Sequence, residues 1–122
     1  MKKCLIIDDI DSNRMATEAI VEDLGFGTIS IDNAEDALHI AEQNFFEVIL
    51  VDWHMPGMNG IEFLEKIRNT KKGRNTVIYI YSGTEDHKGT KEALRAGADG
   101  FIYKPVTKEM LQKHFKASAL IL

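Results

Sequence analysis

Cysteine occurs once in these 122 residues, tryptophan once and proline twice. The single thiol, Cys4, excludes an intramolecular disulfide, and its place inside the apolar stretch CLII marks it as a buried structural residue. A reducing cytoplasm suits such a chain. Long hydrophobic runs are missing too: the stretch that follows Lys2 and Lys3 stops at Asp8, far short of a secretory core or a membrane span. Positive charge is scarce, with 15 Lys and Arg against 19 Asp and Glu and a formal net charge of -4. No basic stripe with interleaved aromatics occurs, which argues against direct nucleic-acid binding. There is no G-x-G-x-x-G, since Gly57 and Gly60 merely flank a loop after Pro56, so a nucleotide site has no support. Repeats, low-complexity tracts and linkers are absent. The expectation is one domain over residues 1–122, cytoplasmic and without membrane attachment, long enough to bury roughly two-thirds of its unfolded surface.

What the chain does have is a recurring short apolar run rich in β-branched residues: CLII at 4–7, TISI at 28–31, VILV at 48–51, VIYIY at 77–81 and FIY at 101–103. Each reads as a strand. Between them the apolar residues keep helical spacing, as in Ala16, Ala19, Ile20 and Leu24; Ala34, Ala37, Leu38 and Ala41; Gly60, Phe63, Leu64 and Ile67; and Thr90, Ala93, Leu94 and Gly97. Thr107 is the expected cap of a last helix whose Leu111, Phe115 and Ala119 share a face. Gly25, Gly73 and Gly97 follow three helical patterns, where a left-handed residue is easiest for glycine. Strict strand–helix alternation requires crossover connections, hence a parallel sheet covered by helices on both faces. The fold class is α/β, five strands and five helices.

Ligands of such sheets bind beyond the carboxyl ends of the strands. The first strand ends in Asp8 and Asp9, the third in Asp52, the fourth in Ser82-Gly83-Thr84 and the fifth in Lys104-Pro105. Taken singly, each has an ordinary use: an aspartate caps a helix or makes a turn, a serine starts a helix, a lysine is a solvated charge. Together they place three acids, a hydroxyl and an ammonium on one sheet edge, which independent caps and surface charges have no reason to do. Two carboxylates about 4 Å apart repel by roughly 4 kcal/mol at an effective dielectric near 20. Lys104 supplies one positive charge, and a cluster of hard oxygens suits Mg²⁺ with a phosphoryl group.

At these residues the sequence resembles the receiver domain of two-component response regulators, of the chemotaxis-regulator-like single-domain type, from Lys3 to about His114. The resemblance is carried by IIDD, VILVDWHMPGMNG, IYIYSG and GADGFIYKP, in order and at the family's spacings. It implies a flavodoxin-like doubly wound sheet in strand order 2-1-3-4-5. It further implies that Asp52 is the phosphoacceptor and that Asp8, Asp9, Asp52 and the backbone carbonyl of His54 hold Mg²⁺ or Mn²⁺, Asp9 directly and Asp8 through water. Ser82 and Lys104 would contact the phosphoryl oxygens, and the Lys104-Pro105 peptide would be cis. Ser82 and Phe101 would be the switch pair; Phe101 lacks the tyrosine hydroxyl common at its position. His54 and Thr84 would tune the lifetime of the phosphate.

The partners so implied are a sensor histidine kinase or histidine phosphotransfer protein and a downstream protein target, the chain itself being a monomer or weak dimer. Phosphorylation would change the surface of the fourth helix, fifth strand and fifth helix, or the group would be relayed onward. Such a protein catalyses only its own phosphorylation and dephosphorylation, so it is not a conventional enzyme. Three other readings stand beside this one: a binding module independent of phosphorylation, a receiver fragment of a larger regulator, and a phosphohydrolase using a covalent aspartyl-phosphate. The last would want an acid two residues after Asp52, where His54 stands. Trp53 is either a reporter of metal binding or a packing residue. His39, His87 and His114 have no spacing that builds a zinc site with Cys4. The C-terminal ASALIL is more apolar than a free end needs, which suits packing under the domain, a dimer contact, or a cut before an output domain.

Overall fold

Every residue of the run VILVD at the third strand is buried, and this strand lies at the centre of the sheet. A computed structural model of the chain describes residues 1–83 and 87–122. The elements are β1 (Lys3–Ile7), α1 (Asp11–Asp23), β2 (Gly27–Ile31), α2 (Ala34–Gln43), β3 (Val48–Asp52), α3 (Gly60–Arg68), β4 (Val77–Ser82), α4 (His87–Ala96), β5 (Gly100–Tyr103) and α5 (Lys108–Ala117). All strand pairs are parallel, in the order β2-β1-β3-β4-β5. This is the expected doubly wound sheet.

Side chains alternate along a strand, and here the alternation sorts two cores. Cys4 and Ile6 of β1, Val48 and Leu50 of β3, and Tyr79 and Tyr81 of β4 join Val21, Leu111 and Phe115 on the α1/α5 side. Leu5, Ile7, Ile49, Val51, Ile78 and Ile80 point the other way, into a core shared with Ala37, Leu64 and Ala93 of α2, α3 and α4. Asn33, Asn59 and Thr107 cap α2, α3 and α5 by accepting the backbone N–H of Asp36, Glu62 and Met110. The Asn59 cap is reciprocal, because Glu62 also accepts the Asn59 N–H at 3.1 Å.

Four details depart from the expected faces. Ala16 and Ala19 are exposed, and α1 buries Thr17 and Val21 instead. On α4, Ala93 is buried but Leu94 is 49% exposed. Gly25 and Gly97 do take left-handed conformations, whereas Gly73 does not; what Gly73 meets is the Ile67 carbonyl, which an added Cβ would strike. Finally α5 ends at Ala117, and Ala119 turns to a positive φ so that Leu120, not Ala119, is buried beside Phe115. The apolar tail therefore packs under the domain.

Behind the sheet, at the end away from the acids, Arg68 closes α3 onto the starts of β4 and β5. Its guanidinium donates to the carbonyls of Gly97, Gly73 and Thr76 and to Asp99 Oδ2 at 2.9 Å. The same Asp99 oxygen accepts the Ile78 N–H at 2.8 Å.

The Tyr79 hydroxyl donates to the His114 carbonyl at 2.8 Å and meets the Ser118 hydroxyl, while the His114 ring stands edge-on to the Tyr79 ring. Burial, and then the charge of Lys113, push the His114 imidazole below its ordinary value of 6.5. The unfolded chain then takes up a proton that the folded chain refuses, so stability present above pH 6.5 falls as the solution is acidified through the lowered value. Urea midpoints at pH 7 and pH 5 are expected to differ less for His114→Asn than for the unaltered protein.

Candidate functional site

Strand parity decides what meets at the carboxyl edge. Asp52 ends β3 on the same face as Leu50 and is the register partner of Tyr81. Asp8 follows Ile7 on the same face as Ile6, one step beyond the last β1–β3 pair, Ile7 with Val51. Asp8 and Asp52 thus come side by side, both buried, with exposed Asp9 next to them. One carboxylate oxygen from each of the three lies within 4.8 Å of the others.

Lys104 reaches this cluster from the end of β5, which is pinned to β4 by the Lys104 N–H on the Ser82 carbonyl at 2.7 Å. Its ammonium lies 3.1 Å from Asp52 Oδ2 and 3.5 Å from Asp8 Oδ2. The Lys104-Pro105 peptide is cis, as expected. Asp8 has further donors: the Ile10 N–H on Oδ1 at 2.9 Å and the Tyr81 hydroxyl on Oδ2 at 2.8 Å. Asp8 is not the N-cap of α1; that position is Ile10, without a side-chain cap. Arg14 binds the Asp8 backbone carbonyl and the Asp11 carboxylate, so it leaves the cluster's charge unbalanced.

Burial raises the Asp52 carboxyl above its ordinary value; Lys104 pulls it back down, and Asp8 and Asp9 push it up again. Among the described residues the three acids meet one ammonium. The donor set, hard oxygens with a net negative charge, fits a divalent cation such as Mg²⁺, which binds through carboxylates and retained waters. An ionised carboxylate at a strand end, beside an ammonium, is also the arrangement that oxygen nucleophiles use.

Ser82 is buried at the end of β4 on the opposite side of the strand from Tyr81. Phe101 is half-buried between Trp53, ring centroids 6.0 Å apart and edge-on, and Tyr103 at 5.2 Å. Trp53 stacks on the exposed His54 ring at 4.8 Å, and its far edge lies where a side chain on Gly89 of α4 would stand. The Tyr103 hydroxyl meets Thr90 at 3.0 Å, a second tie between β5 and α4. Gly60 backs onto the end of β3: its N–H donates to the Trp53 carbonyl at 2.8 Å, and a Cβ there would strike the Asp52 carbonyl. Thr84 lies outside the described residues.

The sequence reading therefore brought together Asp8, Asp9, Asp52 and Lys104 with Ser82 at the adjoining strand end. It missed Tyr81. The signal was present in the second tyrosine of VIYIYS, which shares the parity of Asp52 at the strand's carboxyl end.

Comparison with known proteins agrees with this geometry. The profile of the response regulator receiver domain matches residues 4–116. The chain is 34% identical over 119 residues to the chemotaxis protein CheY-3 of Vibrio cholerae, covering 93% of this chain and 92% of that one. A solved structure of Vibrio cholerae CheY4 superposes with a TM-score of 0.89 at 29% identity, covering 96% of this chain and 98% of that one. The receiver domain of a Pseudomonas aeruginosa sensor histidine kinase, with a magnesium ion coordinated in its active-site cleft, shares the fold at a TM-score of 0.86 and 23% identity, covering 94% and 95%.

Proposed function

Since this chain belongs to the response regulator receiver domain family, we propose that Asp52 is its phosphoacceptor and that a histidine kinase or histidine phosphotransfer protein supplies the phosphoryl group. The observation that carries this reading is the triad of carboxylates with Lys104 at 3.1 Å from Asp52.

An Asp52 carboxylate oxygen attacks phosphorus as the phosphorus–nitrogen bond of phosphohistidine breaks and its electron pair returns to the imidazole, leaving an acyl phosphate. Lys104 pairs with the oxygens of the incoming group, and Ser82 takes one of them by its hydroxyl. Asp8, Asp9 and Asp52, with the His54 backbone carbonyl, would hold Mg²⁺ or Mn²⁺, which when bound neutralises charge on the transferring group and offsets the repulsion among the acids. The magnesium ion in the Pseudomonas aeruginosa receiver supports that choice of metal. Positioning and electrostatics carry such chemistry, so few side chains suffice.

The cavity beside Lys104, lined by Asn13, Thr17, Tyr81 and Pro105, is about 90 Å³. That is well under the roughly 300 Å³ at which small-molecule pockets begin. None of the three acids lines this cavity; on the reading proposed here a partner's phosphohistidine brings the phosphoryl group to Asp52, and the chain acts as a signalling component that catalyses only its own phosphorylation and dephosphorylation.

Phosphorylation adds about two negative charges and three acceptor oxygens. Movement of Ser82 toward them leaves room for Phe101 to turn inward, and the surface of α4, β5 and α5 changes for a downstream protein. His54, exposed beside Asp52, and Thr84 set how readily water reaches the phosphate. No helix among the described residues is long and apolar enough to cross a membrane. The cytoplasm, where a buried unpaired thiol is stable, is the proposed compartment.

Intact mass after incubation with acetyl phosphate and Mg²⁺ tests the chemistry. One phosphoryl adduct is expected, labile to hydroxylamine and absent when a chelator replaces the metal. Absence of an adduct with Mg²⁺, or one that survives hydroxylamine, would overturn the reading.

A further inference from the structure

Tyr81 touches two members of the site at once. Its hydroxyl donates to Asp8 Oδ2 at 2.8 Å, and its ring lies under the Lys104 ammonium, 4.9 Å from nitrogen to ring centroid. Both Tyr81 and Asp8 are buried, at 1% and 0% exposure. β4 places the tyrosine there by register, opposite Asp52 and on the same face.

Asp8 needs such a partner. Its Oδ1 accepts the Ile10 N–H at 2.9 Å, which fixes one end of the carboxylate. The Tyr81 hydroxyl fixes the other end, and two anchors determine the plane of the group. Neither anchor carries charge, so neither of them competes with a cation for the carboxylate's charge. With an aliphatic residue at 81, Oδ2 would have Lys104, at 3.5 Å, as its remaining donor, and the ammonium would compete with a cation there. Groups that orient a metal ligand through its outer atoms commonly matter about tenfold or more for affinity.

We infer that Tyr81 is a positioning residue of the phosphoryl site, its hydroxyl holding the Asp8 carboxylate in place for the cation and its ring seating the Lys104 ammonium. This rests on the phosphoacceptor reading of Asp52. The two contacts separate in two variants. Tyr81→Phe keeps the ring and loses the hydroxyl; Tyr81→Leu loses both.

Mg²⁺ affinity by titration calorimetry and the rate of phosphorylation by acetyl phosphate at saturating Mg²⁺ are the readouts, with urea midpoints as the folding control. Tyr81→Phe is expected to weaken Mg²⁺ binding about tenfold and to keep the rate at saturating metal. Tyr81→Leu is expected to weaken binding likewise and to slow that rate as well, because Lys104 has lost its seat. In an Asp8→Asn background, Tyr81→Phe should weaken Mg²⁺ binding no further, since it acts through the carboxylate. Unchanged affinity in Tyr81→Phe, or the same loss whether residue 8 is Asp or Asn, would overturn the inference, the second result identifying a merely structural tyrosine. If the unaltered protein bound no Mg²⁺ and took no phosphoryl group, the phosphoacceptor reading itself would fall and this inference with it.

Discussion

Asp52→Asn is expected to gain no phosphoryl mass from acetyl phosphate and Mg²⁺, under conditions in which the unaltered protein gains one adduct. The substitution changes almost nothing in shape. It removes the nucleophile, because a neutral amide oxygen lacks the carboxylate's negative charge and is too weak a nucleophile to form a stable bond to phosphorus. The fold should not suffer. Burial and the neighbouring acids Asp8 and Asp9 raise the Asp52 carboxyl, which means the folded chain ionises it at a net cost despite Lys104. A neutral side chain there relieves that cost, so with chelator present the urea midpoint at neutral pH is expected to rise. Mg²⁺ should stabilise the variant less than the unaltered protein, since one of three converging carboxylates is gone. A phosphoryl adduct retained by Asp52→Asn would place the acceptor elsewhere.

Arg68→Ala should produce the largest loss of stability, about 3 kcal/mol, with a fall in melting temperature of roughly 10 °C. The side chain is only 19% exposed and holds three carbonyls as well as the Asp99 carboxylate. Its removal leaves Gly73, Gly97 and Thr76 short of a donor. Asp99 keeps only the Ile78 N–H among its described hydrogen-bond partners. Arg68→Lys should recover less than half of the loss, because one ammonium cannot reproduce the planar fork. The phosphorylation rate is expected to hold as long as the protein is folded: the clasp lies at the starts of β4 and β5, the chemistry at their ends. A midpoint unchanged by Arg68→Ala would show that water substitutes for the guanidinium.

The carboxyl-edge acids were legible because strand endings are local. An apolar run that stops at Asp8 or Asp52 marks its own boundary, and alternation alone then implies a parallel sheet. Tyr81 and Arg68 were not legible, because their meaning lies in distant partners. A tyrosine inside VIYIYS reads as core until Asp8, 73 positions earlier, is seen to accept its hydroxyl. Arg68 reads as an ordinary basic residue in a last helical turn until Gly97 and Asp99 arrive from across the sheet. The α1 face was misread for a different reason: helical spacing took Ala16 and Ala19 for its apolar face, whereas the helix buries Thr17 and Val21. Gly73 was read as a left-handed cap, but it is glycine because the Ile67 carbonyl lies too close for a side chain.

The sorting of odd and even strand residues into two cores makes the chemistry sensitive to counting. Deleting one residue within β3 leaves composition and hydropathy nearly intact, yet turns every following side chain over. Asp52 would then face the α3/α4 side, away from Asp8 and Tyr81, while Trp53 took its place among the acids. Substitutions leave this count alone; insertions and deletions do not. A change of length is therefore tolerated only outside the strands, where an added residue turns no strand side chain over.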